Sequence, residues 1–146
     1  MKITSTAFEQ NQPIPAQYTC AGVNHNPPLT FSQVPTDAHS LVLVVEDPDA
    51  PAKVFTHWLV YNMPPSTPHI REHEVPPQST EGRNDFGTPG YSGPCPPSGT
   101  HRYVFQLSAL DTTLALPEGK TKEEVREKMK GHVIATAELV GTYTRG

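Results

Sequence analysis

The sequence predicts a single, mainly β domain, and three observations predict it. The 146 residues include 17 prolines and 10 glycines, a density of helix breakers that favours many short strands joined by turns over a helical bundle. Several short runs are rich in β-branched and aromatic residues. Only one stretch carries the marks of a helix. A chain of this length is the size of one domain and buries an ordinary core without covalent staples.

The elements follow in order. Residues 2–8 read as a short, Thr-rich strand, and 29–34 as a strand after the Pro27-Pro28 turn. Residues 41–46 (LVLVVE) are almost unbroken in apolar character, the mark of a central strand buried on both faces. Residues 54–63 and 101–110 are the next strands, and 132–144 the last. Between these two the helix is announced by a capping box, with Thr121 at N-cap and Glu124 at N3. Acidic residues occupy its first turn, Lys128 and Lys130 its last, and Gly131 stops it. Val125 and Met129 give it one apolar stripe. No repeat or linker divides the chain.

Residues 64–100 stand apart. They hold 9 of the 17 prolines and show no periodicity. A structureless stretch of that length is uncommon in a compact domain. Its second half carries Phe86 and Tyr91, aromatics that disordered tracts lack. It is therefore expected to be ordered and to build a surface.

Charge and composition exclude several functions. The net charge is −4 at pH 7 and no run of Lys or Arg exists. The densest basic stretch, 120–130, is interleaved with glutamates. Such a surface argues against binding nucleic acid or an anionic membrane. The two cysteines, Cys20 and Cys95, are too few for a disulfide scaffold and are expected as reduced thiols. Residues 1–6 lack the apolar core of a signal peptide, and the longest apolar run, 41–45, is far below a membrane span. A cytoplasmic protein without an integral membrane segment or cofactor is expected.

Alternation places His101, Tyr103, Phe105, Leu107 and Ala109 on one face of the 101–110 strand. It places His57, Leu59 and Tyr61 on one face of the 54–63 strand. Each strand then carries one histidine near its start. Strands starting at the same rim would bring both histidines to one depression; the plainer reading is two rim histidines bonded to backbone carbonyls. Asp47-Pro48-Asp49-Ala50-Pro51 closes the central strand. It reads as a turn, or as two carboxylates delivered to a pocket, and Ala50-Pro51 is a candidate cis bond. The segment 93–100 (GPCPPSGT) is stiffened by three prolines, and it lacks the GK[ST] element of a phosphate loop.

Two histidines can supply N–H donors to a phosphate or carboxylate. Asp47 beside them would orient and protonate a histidine, or meet a ligand ammonium; both options suit a zwitterionic phosphoethanolamine head. A metal held by His57, His101 and an aspartate is a rival without supporting spacing. A Cys95–His101 nucleophile pair is another, in a loop without evident oxyanion donors. His69 and His73 lie among prolines and read as exposed loop residues.

These segments resemble the phosphatidylethanolamine-binding protein (Raf kinase inhibitor protein) family. Asp47-Pro48-Asp49-Ala50-Pro51 is similar to its first block, followed by His57 in THWLVYNMP; Gly99-Thr100-His101-Arg102-Tyr103 is similar to its second. The string GYSGPCPPSGTHRYVF, with Asn84-Asp85-Phe86-Gly87 before it, resembles the bacterial and archaeal branch. The resemblance spans about residues 8–144. It implies an antiparallel Greek-key β-sandwich with one or two short helices, and an anion pocket built from Asp47, His57, Gly93, Pro94, His101 and Tyr103. Asp49 and Arg102 are expected to brace it. It implies a binding protein rather than an enzyme. The ligand would be a small anionic or phosphorylated molecule such as phosphate or phosphoethanolamine. The protein partner would be a kinase or a protease, and the prokaryotic branch suggests a homodimer. Inhibition of a serine protease through a surface loop within 64–89 is the alternative function. The chain ends just after the last strand, so the C-terminal helix of eukaryotic relatives is expected to have no counterpart.

Overall fold

The computed structural model describes residues 1–145. Among them are nine strands and one α-helix: β1 (Lys2–Thr4), β2 (Gln12–Pro13), β3 (Leu29–Ser32), β4 (Ser40–Asp47), β5 (Phe55–Met63), β6 (His69–Ile70), β7 (Thr80–Glu81), β8 (Gly99–Leu110), α1 (Lys122–Met129) and β9 (Val133–Arg145). A six-stranded sheet runs in the order β2-β9-β8-β4-β5-β7, and a three-stranded sheet in the order β1-β3-β6. Every pairing is antiparallel except β2 with β9, which is parallel. The expectation of a mainly β architecture in sheets is met, with that one parallel pair as the departure.

The central strand explains its own sequence. β4 lies between β5 and β8, and its side chains alternate between two cores. Leu41, Leu43 and Val45 join Ile3, Phe31 and Ile70 in the core between the sheets. Val42 and Val44 join Leu59, Tyr61, Val125 and Met129 on the other face of the large sheet. A strand covered on both sides reads as a continuous apolar run. Burying each such aliphatic side chain contributes about 2 kcal/mol.

The expected capping box is present: Thr121 Oγ1 accepts from the Glu124 amide at 3.2 Å, and the Thr121 amide donates to Glu124 Oε1 at 3.1 Å. Helix α1 is also tied to the end of β4. Lys122 Nζ lies 2.9 Å from Glu46 Oε2, and Arg126 lies 3.3 Å from Glu46 Oε1. Burial opposes the charge on Glu46, but these two cations hold its carboxyl below the ordinary range.

Two strands are shorter than the sequence suggests, for local reasons. β1 ends where the Ser5 hydroxyl turns to the Pro28 carbonyl, at 2.6 Å, and accepts from the Ala7 amide. β3 ends at Ser32 because Gln33 has φ 56°, a left-handed conformation that leaves the strand. Segment 64–100 is ordered as expected. His69 is not in a loop but in β6, paired with Thr30 of β3. No cis peptide bond occurs among the described residues, so Ala50–Pro51 is trans.

The cysteine reading is corrected. Cys20 and Cys95 form a disulfide, with Cα atoms 5.4 Å apart across 75 residues of sequence. The two loops meet through contacts that composition cannot show. The Cys20 amide donates to the Pro94 carbonyl at 3.1 Å. The Gly93 amide donates to Asn24 Oδ1 at 2.8 Å, and the Tyr91 hydroxyl donates to the Tyr18 carbonyl at 2.6 Å.

Candidate functional site

β5 and β8 flank β4 and both run antiparallel to it, so both begin at the rim where β4 ends. Asp47 is the last residue of β4; His57 and His101 are the third residues of β5 and β8. The two histidines therefore meet at one rim, as expected. The strand phase assumed for His57 is wrong, however. Val45 pairs with Trp58 and Glu46 with Thr56, so His57 is the extra residue of a β-bulge. The bulge turns its ring away from Leu59 and Tyr61 and brings it to Tyr103, with ring centroids 5.3 Å apart. Strict alternation would have put His57 on the helix side of the sheet.

The polar groups are held in a defined state. His101 Nδ1 donates to Asp47 Oδ2 at 2.6 Å, with side chains 10% and 5% exposed. The other oxygen, Asp47 Oδ1, accepts from the Asp49 amide at 2.7 Å. His57 Nδ1 lies 2.6 Å from the Ser92 carbonyl. A carbonyl only accepts, so the proton sits on Nδ1, and Nε2 of the neutral ring is an acceptor. Burial lowers the His57 pKa below the ordinary 6.5, against the opposing pull of the Ser92 carbonyl and Asp47. Tyr103 is fully buried, and its hydroxyl has no hydrogen-bond partner among the described residues. Burial and the nearby Asp47 carboxylate push its phenol up.

Outside this set, Asp49 and Arg102 brace the rim as expected. Asp49 accepts from the Arg102 amide and from Nε, both at 2.9 Å, and from the terminal guanidinium nitrogen at 2.8 Å. The Arg102 contacts hold the Asp49 carboxyl down at about 2.

A cavity of about 170 Å³ opens over these groups. Of the expected residues it brings together Asp47, His57, His101 and Tyr103. Gly93 and Pro94 do not line it, because their polar groups face the 16–24 loop, as described above. The rest of the wall is Ala50, Pro51, Phe55, Phe86, Cys95, Pro96 and Pro97. Phe86 escaped the sequence reading as a pocket residue; its signal was an aromatic in a turn sequence. Asn84 builds that turn, its side chain accepting from the Phe86 amide at 2.9 Å and donating to the Gly90 carbonyl at 2.9 Å. Asp85 fixes the turn to β5 by accepting from the Thr56 amide at 2.8 Å.

The rival chemistries find little here. Among the described residues no group of three or more His, Cys, Asp or Glu is arranged to hold a metal. The sulfur of Cys95 is in the disulfide. His73 stacks on His25 with ring centroids 3.6 Å apart, away from the rim. Among the described residues no helix is long and apolar enough to cross a membrane.

The molecule is thus a mainly β protein of two sheets, with a buried carboxylate–histidine pair, a second histidine and a small cavity at one rim. The chain belongs to the phosphatidylethanolamine-binding protein family, whose model matches residues 4–144. It is 50% identical to a UPF0098 protein of Methanothermobacter thermautotrophicus, covering 100% of both chains. It is 49% identical to one of Chlamydia trachomatis, covering 99% of both. The crystal structure of a phosphatidylethanolamine-binding protein homologue of Chlamydia trachomatis superposes with a TM-score of 0.95 at 47% identity, covering 99% of this chain and 97% of that one. Escherichia coli YbcL, described as a member of the mammalian family, superposes with a TM-score of 0.93 at 30% identity, over 99% and 98%.

Proposed function

We propose that this chain is a small-anion-binding protein, regulatory or inhibitory toward a kinase or protease, rather than an enzyme. The observation that carries the reading is the convergence of the Asp47–His101 pair and the unpartnered His57 nitrogen on one cavity. Asp47 uses both oxygens inside the protein. It orients His101 and, with its side chain only 5% exposed, presents little surface to a ligand ammonium. The site is therefore suited to phosphate or a carboxylate as such, and a phosphoethanolamine head gains little from its amine.

Neutral His57 offers a lone pair, which repels an anion. Binding turns that lone pair into a donor by adding one proton to the ring, carried by the ligand or taken from solvent. Affinity then falls by about tenfold per pH unit above the His57 pKa. The homodimer implied by the resemblance belongs to the same reading. The loop-inhibitor alternative rests on the resemblance alone; segment 64–89 is held to β3 through β6 and to β5 through β7.

The test is a histidine ring titration by NMR of wild type and His101→Ala, with and without phosphate and phosphoethanolamine. Signals of His57 and His101 that move together, saturate, and lose that response in the variant support the site. Silence of both rings at millimolar ligand would overturn it.

A further inference from the structure

Resting on the anion-site reading above, we propose that the cavity's ligand is an aromatic carboxylate, a single ring joined to a carboxylate, with the ring lying against Phe55 and Phe86. Three observations point there. The first is size. An apolar cavity of about 150 Å³ takes one benzene ring, and this one measures about 170 Å³. Drug-sized ligands occupy roughly 300 Å³ or more, so a nucleotide or an acyl chain does not fit inside.

The second is the wall. Beyond the polar floor it is carbon, from Phe55, Phe86 and the Pro96-Pro97 segment. Phe55 and Phe86 meet edge to face with centroids 4.7 Å apart. Phe86 is nevertheless 53% exposed. A rigidly placed aromatic that gives half its surface to water at a cavity mouth leaves room for an edge-to-face ring contact.

The third is the charge at the floor. Among the described residues no Lys or Arg lines the cavity; the Arg102 guanidinium is bound to Asp49, and that of Arg145 lies against the disulfide, 3.3 Å from the Cys95 sulfur. The anionic Asp47 stands behind His101. A doubly charged phosphate therefore meets a carboxylate with no Lys or Arg in the cavity lining. With its Nδ1 proton directed at Asp47, His101 resembles His57: the second ring nitrogen of each donates to a ligand only when that ring carries an added proton. One proton taken up at His57 supplies a donor and neutralises the single charge of a carboxylate, whereas a doubly charged phosphate keeps a charge facing Asp47.

Calorimetric titration of the full chain at neutral pH with acetate, phenylacetate, phosphate and phenyl phosphate tests this. Phenylacetate is expected to bind about tenfold tighter than acetate, the gain of burying one ring, and tighter than phenyl phosphate. Phe86→Ala should narrow the phenylacetate-to-acetate ratio to about threefold or less. As a check that does not rely on the variant's folding, wild type should show nuclear Overhauser contacts between the ligand ring and Phe86. If acetate or phosphate binds but phenylacetate has no advantage, or if those contacts are missing, this inference fails and the anion site stands. Tighter binding of phenyl phosphate overturns the carboxylate assignment. If none of the four binds at millimolar concentration, the anion-site reading fails as well.

Discussion

Two histidine–carboxylate pairs in this molecule have nearly the same geometry and different surroundings. His101 Nδ1 lies 2.6 Å from Asp47, and His132 Nδ1 lies 2.7 Å from Asp111. The first pair is 10% and 5% exposed; the second is 46% and 47% exposed. The inner pair is shielded from water, with its carboxylate also bonded to a backbone amide and its imidazole facing a cavity. The outer pair joins the end of β8 to the start of β9 in solvent. A short distance therefore does not mark a site. The low dielectric around the inner pair makes its protonation and orientation consequential.

The widest separation between the pairs is expected on removing their carboxylates. Asp47→Ala leaves a buried imidazole and the Asp49 amide without partners and should lower stability by about 4 kcal/mol. Chemical denaturation measures this, and a loss under about 1 kcal/mol would show the inner pair to be solvated like the outer one. The next effect concerns the wall that encloses the inner pair. Replacing both Cys20 and Cys95 by Ser removes the link between the 16–24 loop and the proline segment and should cost about 3 kcal/mol. An unchanged denaturation midpoint would mean that the hydrogen bonds between these loops suffice.

A smaller effect comes from pH. Burial depresses the His57 pKa in the folded chain, so below about pH 6.5 the unfolded chain binds a proton that the folded one refuses. Stability from this group is complete above that pH and is lost as pH falls through the folded value. His57→Gln should flatten this part of the stability–pH curve. A saturating anion should flatten it too, by letting the folded chain take the proton. The smallest effect is at the outer pair. Asp111→Asn should cost about 0.5 kcal/mol or less, and added salt should erase the difference.

Much of this was legible in the sequence, residue by residue. The double burial of 41–46 and the capping box of Thr121 are local patterns, and local patterns survive folding. Positions near two strand starts allowed two readings of His57 and His101, a shared depression or bonds to backbone carbonyls, and His57 meets both. The face assigned to His57 was wrong, because a bulge is a property of the register between strands and leaves no mark in one strand alone. Gly93 and Pro94 were placed in the pocket by their motif, but the Asn24 side chain and the Cys20 amide claim their polar groups. Phe86 joined the wall through the turn that Asn84 builds.

By itself the sequence determined the fold class, the order of the long strands, the helix and its ends, and the residue types of the site. These follow from side-chain periodicity, backbone stereochemistry and capping, which act over a few neighbouring residues. Only the tertiary structure decided the Cys20–Cys95 bond, the bulge that aims His57, the tautomer set by the Ser92 carbonyl, and the size of the cavity. Each of these depends on contacts between segments roughly 10 to 75 residues apart, and such contacts exist only once the chain has closed on itself.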